Sequence, residues 1–72
     1  MEAEELFAAE RPRLLGLAYR MVGSLSDAED IVSEAWARWC ARQGDALETP
    51  AAWLTTVTTR LAIDWLRRAR HD

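Results

Sequence analysis

Seventy-two residues make one small domain, and half of them are hydrophobic, four being Trp; this excludes a disordered tail and allows a small core of marginal stability. The formal charge of −3, from twelve acids against nine arginines, argues on its own against a nucleic-acid binder. No apolar run nears the roughly 20 residues of a membrane span, and the acidic start does not fit a signal peptide, so a soluble cytoplasmic protein is expected.

Residues 2–22 read as helical. Leu6 and Phe7 form one apolar step, Leu14, Leu17, Ala18 and Met21 form a stripe, and Leu15, Tyr19 and Val22 widen it. Pro12 removes an N–H and crowds the preceding turn, which predicts a kink or a break near Glu10 and Arg11. Gly23 is placed to end the helix in the left-handed conformation.

Ser26 is expected to start the second helix, because Ser26-Asp27-Ala28-Glu29 fits a capping box. From there Ala28, Ile31, Val32, Ala35, Trp36 and Trp39 recur at steps of three and four and make one continuous buried face. Trp36 and Trp39 are expected to pack against Leu14, Ala18 and Met21 on one side and Leu54, Val57 and Leu61 on the other. Asp27, Asp30 and Glu34 lie on the opposite front, facing solvent or a basic partner. Helix-start electrostatics account for Asp27 and Glu29, less well for Asp30 and not at all for Glu34. Glu34 can also pair with Arg38 one turn on, an interaction of only about 0.3–0.5 kcal/mol. The single Cys40, beside Trp39, reads as a small buried hydrophobe in a reducing compartment and cannot form an intramolecular disulfide.

Gly44 is expected to end this helix, and Gln43 to Thr49 reads as a polar loop. Thr49 and Pro50 then start a third helix as N-cap and first helical residue. From Ala51 to Arg70 nothing breaks it. Trp53, Leu54, Val57, Leu61, Trp65 and Leu66 form its apolar stripe, and Asp64, four residues from both Arg60 and Arg68, is expected to form a local salt bridge. The fold class is therefore all-α, a small three-helix bundle, or four helices if Pro12 splits the first.

Charge is uneven along the chain. Residues 1–34 carry eight acids and three arginines, a balance of −5, and residues 51–72 carry four arginines against Asp64 and Asp72, a balance of +2. Such polarity suits two partners of opposite sign. There is no catalytic set: His71 is the sole histidine and lies at the tail, no Gly-rich phosphate loop occurs, and no Cys/His cluster offers a metal site. An enzyme, a metal, a cofactor and a small-molecule substrate are not expected.

Three blocks carry a resemblance: Arg11-Pro-Arg-Leu-Leu-Gly-Leu-Ala-Tyr-Arg-Met-Val-Gly23, Asp27-Ala-Glu-Asp-Ile-Val-Ser-Glu-Ala-Trp36, and Ala52-Trp-Leu-Thr-Thr-Val-Thr-Thr-Arg-Leu-Ala-Ile-Asp-Trp-Leu-Arg67. In order and spacing the chain resembles the region 2 domain of bacterial extracytoplasmic-function (ECF) RNA polymerase sigma factors, over residues 1–72. It is most similar to the subgroup that carries an extra carboxy-terminal domain. The resemblance implies a sigma region 2-like fold that docks on the clamp helices of the RNA polymerase β′ subunit and recognises the promoter −10 element as non-template single strand. It places Asp30, Ser33 and Glu34 at the polymerase contact, with Asp27 and Arg38 beside them. It places the DNA contacts on the loop residues Gln43, Glu48 and Thr49 and on Thr56, Thr59, Arg60 and Arg67 of the last helix, with Trp53 as either a stacking surface or a core residue. Arg60 can alternatively serve only to pair with Asp64.

The chain also departs from the family pattern. Ser33 stands where Gln is common, Arg60 where Asn is common, Trp65 where a basic residue is common, and Thr55-Thr56 replaces a basic or aromatic pair. The last helix is thus less basic than usual, which bears on DNA preference more than on fold. Region 4 of the family is missing, so the chain is expected to be a fragment. An apolar patch is then expected to receive an anti-sigma factor or the factor's own carboxy-terminal domains. The alternative function is a small helical protein-interaction domain, a sigma-like regulator without DNA recognition.

Overall fold

The computed structural model describes residues 3–42 and 49–71. They form α1 (Ala3–Val22), α2 (Leu25–Ala41) and α3 (Pro50–His71), with no strand among the described residues. Each helix packs against both of the others. The molecule measures 40 × 19 × 16 Å, its length approaching that of α3, whose 22 residues span about 33 Å.

Pro12 does not split α1, which runs unbroken through it. Pro12 deprives the carbonyl of Ala8 of its helical donor, but Ala8 and Pro12 are both exposed, so that side of the helix is open to water. Phe7 before the proline and Leu14 after it are both buried in the same core, and this shared packing supports the helix on both sides of the proline. Leu6, Leu15, Met21 and Val22 flank that stripe. Tyr19 does not join it and is 49% exposed.

Gly23 stops α1 as expected, with φ at 75° and its N–H donated to the Tyr19 carbonyl at 2.8 Å. The N-cap of α2 is Ser24, not Ser26. Ser24 has extended backbone angles, its carbonyl accepts the Ala28 N–H at 2.9 Å, and its hydroxyl accepts the Asp27 N–H at 3.4 Å. Ser24-Leu25-Ser26-Asp27 is itself a Ser-x-x-Asp box two residues earlier, and choosing it lengthens the helix from its very start.

The buried face of α2 is Ala28, Ile31, Val32, Ala35 and Trp39. Trp36 flanks it half-buried, and its ring meets Phe7 of α1 with centroids 4.9 Å apart, a partner the sequence reading did not name. Cys40 is exposed, against expectation: it continues the solvent row of Ser33 and Ala37, about 100° around the helix from Trp39. Arg42 caps the carboxy end of α2; Gly44 lies outside the described residues. The Trp53 N–H donates to the Thr49 carbonyl at 3.2 Å, so α3 opens at Thr49 and Pro50 as predicted. Its buried residues are Leu54, Thr58, Leu61 and Ala62, with Trp53, Val57 and Trp65 packed at the margin.

Candidate functional site

Two outward faces hold the described candidate residues. The first is the front of α2. Asp30, Ser33, Glu34 and Arg38 are all exposed, and Asp27 is half-buried in the first turn. Arg38 Nε donates to Glu34 Oε2 at 3.4 Å, with both side chains more than half exposed, so water competes strongly for the pair and it holds neither group tightly. A groove borders this ridge on each side. Towards α1, Ser33 and Trp36 line a cavity of about 310 Å³ with Phe7, Ala8 and Arg11. Towards α3, Asp30 and Glu34 line one of about 170 Å³ with Leu61, Trp65 and Arg68.

The second face belongs to α3. Thr49, Trp53, Thr56, Arg60, Ile63 and Arg67 follow one another at steps of four and three, which makes a single stripe on the side away from Leu54, Thr58 and Ala62. From Thr49 to Arg67 the stripe is about 27 Å long. Thr49, Thr56, Arg60 and Arg67 are exposed, and Thr59 is half-buried at its edge. Ile63, 38% exposed, was not anticipated there; only the register of the whole helix places it between the two arginines. Gln43 and Glu48 lie outside the described residues.

Asp64 forms no ion pair with Arg60 or Arg68 among the described residues, contrary to expectation. All three are exposed, and an exposed pair four residues apart gains too little to hold two long side chains in place. Arg68 instead borders the groove opposite Asp30 and Glu34. Arg60 is thereby left on the stripe without the local pairing that was the alternative account of it.

Trp53 is both a packing residue and a member of the stripe. Its ring lies 5.7 Å from that of Trp39, tilted by 58°. The Arg42 guanidinium sits 3.8 Å from the Trp39 ring centre and 5.6 Å from that of Trp53, close enough for both indole faces to attract it. This cation–aromatic cluster ties the last turn of α2 to the first turn of α3. Sequence spacing gave Arg42 no part in the core. The Trp39–Arg42 step of three, with a third Trp early in the next helix, is the signal that could have shown it.

Among the described residues no group of acids, histidines or cysteines could hold a metal ion, and no helix is long and apolar enough to cross a membrane. The sigma-70 region 2 family model matches residues 6–71. The chain is 51% identical over 71 residues to the ECF RNA polymerase sigma factor SigJ of Mycobacterium tuberculosis, covering 99% of this chain and 22% of that protein. It is 39% identical over 61 residues to the probable ECF RNA polymerase sigma factor SigI of the same species, covering 85% of this chain and 21% of that one. It is 33% identical over 64 residues to the ECF RNA polymerase sigma factor SigW of Bacillus subtilis, covering 86% and 34%. The chain thus spans between about a fifth and a third of the length of these relatives. No solved structure matches it. With the family pattern running through all three helices, the chain belongs to the sigma-70 region 2 family and is similar throughout to ECF sigma factors.

Proposed function

We propose that residues 1–72 act as one promoter-recognition domain of a transcription initiation factor. In this reading the front of α2 docks on the β′ clamp helices of RNA polymerase through Asp27, Asp30, Ser33, Glu34 and Arg38. The outer stripe of α3, with Trp53, Thr56, Thr59, Arg60 and Arg67, receives the non-template single strand at −10, together with Gln43, Glu48 and Thr49 ahead of it. Polymerase core and promoter DNA are the partners, and an anti-sigma factor or further domains of a longer factor are candidates for the remaining apolar surface. The work is recognition, without catalysis.

The observation that carries this reading is the separation of two chemically opposite faces on two helices. The carboxylates of Asp30 and Glu34 are exposed on one helix, beyond the reach of any capping duty. Arg60 and Arg67 stand exposed on the outer stripe of the other. A basic protein surface suits the first face, and a phosphate backbone with unstacked bases suits the second.

The test is a pair of variants in holoenzyme assembled with core polymerase. Asp30→Ala combined with Glu34→Ala should leave helicity unchanged and weaken core binding, with the greatest loss at low salt. Arg60→Ala should leave core binding unchanged and weaken capture of the −10 single strand. A loss uniform across strand sequences identifies a phosphate contact, and a loss confined to one position identifies base readout. Undiminished core binding by the acid double variant would sink the polymerase assignment.

A further inference from the structure

The first turn of α3 is gripped by a residue of α1 that belongs to neither face. Arg13 donates from Nη1 to Thr55 Oγ1 at 2.8 Å and from Nη2 to the Ala51 carbonyl at 3.3 Å. Thr55 Oγ1 in turn donates to the same Ala51 carbonyl at 2.8 Å. The fork of one guanidinium therefore closes a circuit with a hydroxyl and a carbonyl of one helical turn. The remaining edge is fixed on α1 itself, where Nε donates to Glu10 Oε2 at 2.7 Å. Three donors of a planar group are spent on two helices, which sets the rotation of α3 about its own axis relative to α1.

That rotation matters because of what lies beside the grip. Thr49 and Thr56, exposed on the outer stripe, are two residues before Ala51 and one after Thr55. Across the turn, Trp53 is held by Trp39 and Arg42. The start of the stripe is thus oriented from α1 on one side and α2 on the other. Thr55, whose hydroxyl is engaged by both Arg13 and Ala51, is committed to this framework.

We propose that Arg13 is a positioning residue for single-strand binding: it fixes the direction of Thr49 and Thr56 through Ala51 and Thr55, without touching DNA. The inference rests on the reading of α3 as the DNA face. What the position needs is the fork, not the charge. A lysine keeps the charge but presents one compact ammonium, which cannot span a hydroxyl and a carbonyl while also holding Glu10. Arg13 is 45% exposed at its side chain, so its bonds contribute little to overall stability, and orientation is the property they govern.

The experiment uses holoenzyme assembled from core RNA polymerase and the chain carrying R13A, R13K, T55V or R13A with T55V, and R60A as a parallel control. Binding of a fluorescent −10 single strand and affinity for core are measured for each. R13A and R13K should each weaken strand binding about threefold, since a positioning residue transmits no more than its own bonds contribute. T55V should do much the same, and the double variant should be no worse than R13A alone. Core affinity should not change. R13K binding like the parent would mean that Arg13 acts by charge on a phosphate, and it overturns the proposal. A silent T55V beside a weakened R13A, or fully additive losses, also overturns it. Should R13A fail to fold, R13K and T55V decide. A silent R60A removes the DNA reading of α3 and the positioning role with it, whereas a weakened R60A beside a parent-like R13K removes the positioning role alone.

Discussion

Thr58 lies four residues after Leu54 and four before Ala62, and all three are fully buried. Its hydroxyl has no hydrogen-bond partner. A buried polar group left in that state costs about 1–3 kcal/mol, and an apolar replacement of the same shape removes the penalty without opening a cavity. Val matches Thr in shape and in helix propensity. Thr58→Val is therefore expected to raise stability by about 1 kcal/mol, read as a higher urea midpoint at unchanged slope; a lower midpoint would show that the hydroxyl has a partner in solution. The residue was invisible to a search for apolar periodicity, because Thr breaks the hydrophobic stripe while occupying its centre. Cys40 shows the converse: its hydrophobic character and its neighbour Trp39 suggested burial, but angular position puts it with Ser33 and Ala37 in water.

At the scale of single helices, α2 was legible in its faces and ambiguous in its start. The steps of three and four marked Ala28, Ile31, Val32, Ala35 and Trp39 as core, and the exposed front of Asp30 and Glu34 followed from the same period, whereas Asp27, expected beside them, is half-buried. Two overlapping boxes, at Ser24 and Ser26, carry the same Ser-x-x-acid signal, and local chemistry does not rank them. The left-handed turn at Gly23 leads directly into Ser24 and settles the choice. Ser24→Ala should accordingly destabilise the domain by about 0.5–1 kcal/mol, towards the lower end for caps because the bond is long. Ser26→Ala, which removes only a hydroxyl contact at 3.3 Å from Ser24, should cost less than half of that in thermal or urea unfolding. An equal cost would return the cap to Ser26. Of the kink or break expected at Pro12, the break does not occur: burial of Phe7 and Leu14 in one core offsets the lost hydrogen bond. The Arg13 bridge could not be read at all, since its partners are 38 and 42 residues away and no periodicity links an exposed arginine of one helix to a threonine of another.

At the scale of the whole molecule, the distribution of charge decides how the two faces cooperate. The chain is acidic over its first half and basic over its last helix, yet its sum is −3. The field of the acids reaches the outer stripe of α3 at low salt, because the molecule is only 19 × 16 Å across its shorter dimensions and the Debye length is about 30 Å at 0.01 M; at physiological salt it is about 8 Å and the field is largely screened. At low salt the free domain should therefore repel the phosphates that the proposed function brings to Arg60 and Arg67. In the proposed function, docking of Asp30 and Glu34 on a basic polymerase surface would neutralise the repelling charges and add the contacts of the enzyme to the same strand. With only Arg60 and Arg67 among the arginines on the stripe, the isolated domain is expected to bind the −10 single strand weakly at physiological salt, and core polymerase should restore binding. Few phosphates are neutralised by two arginines, so the slope of log affinity against log salt for the isolated domain should be shallow, on the order of −1 to −2. At low salt the acid double variant, with two negative charges removed, should bind the strand more tightly than the parent when tested alone and less tightly when tested with core. That reversal of sign distinguishes electrostatic coupling between the faces from simple loss of either partner. Tight binding of DNA by the parent domain alone, insensitive to salt, would show that the strand is held by stacking on Trp53 and Ile63 rather than by this balance of charge.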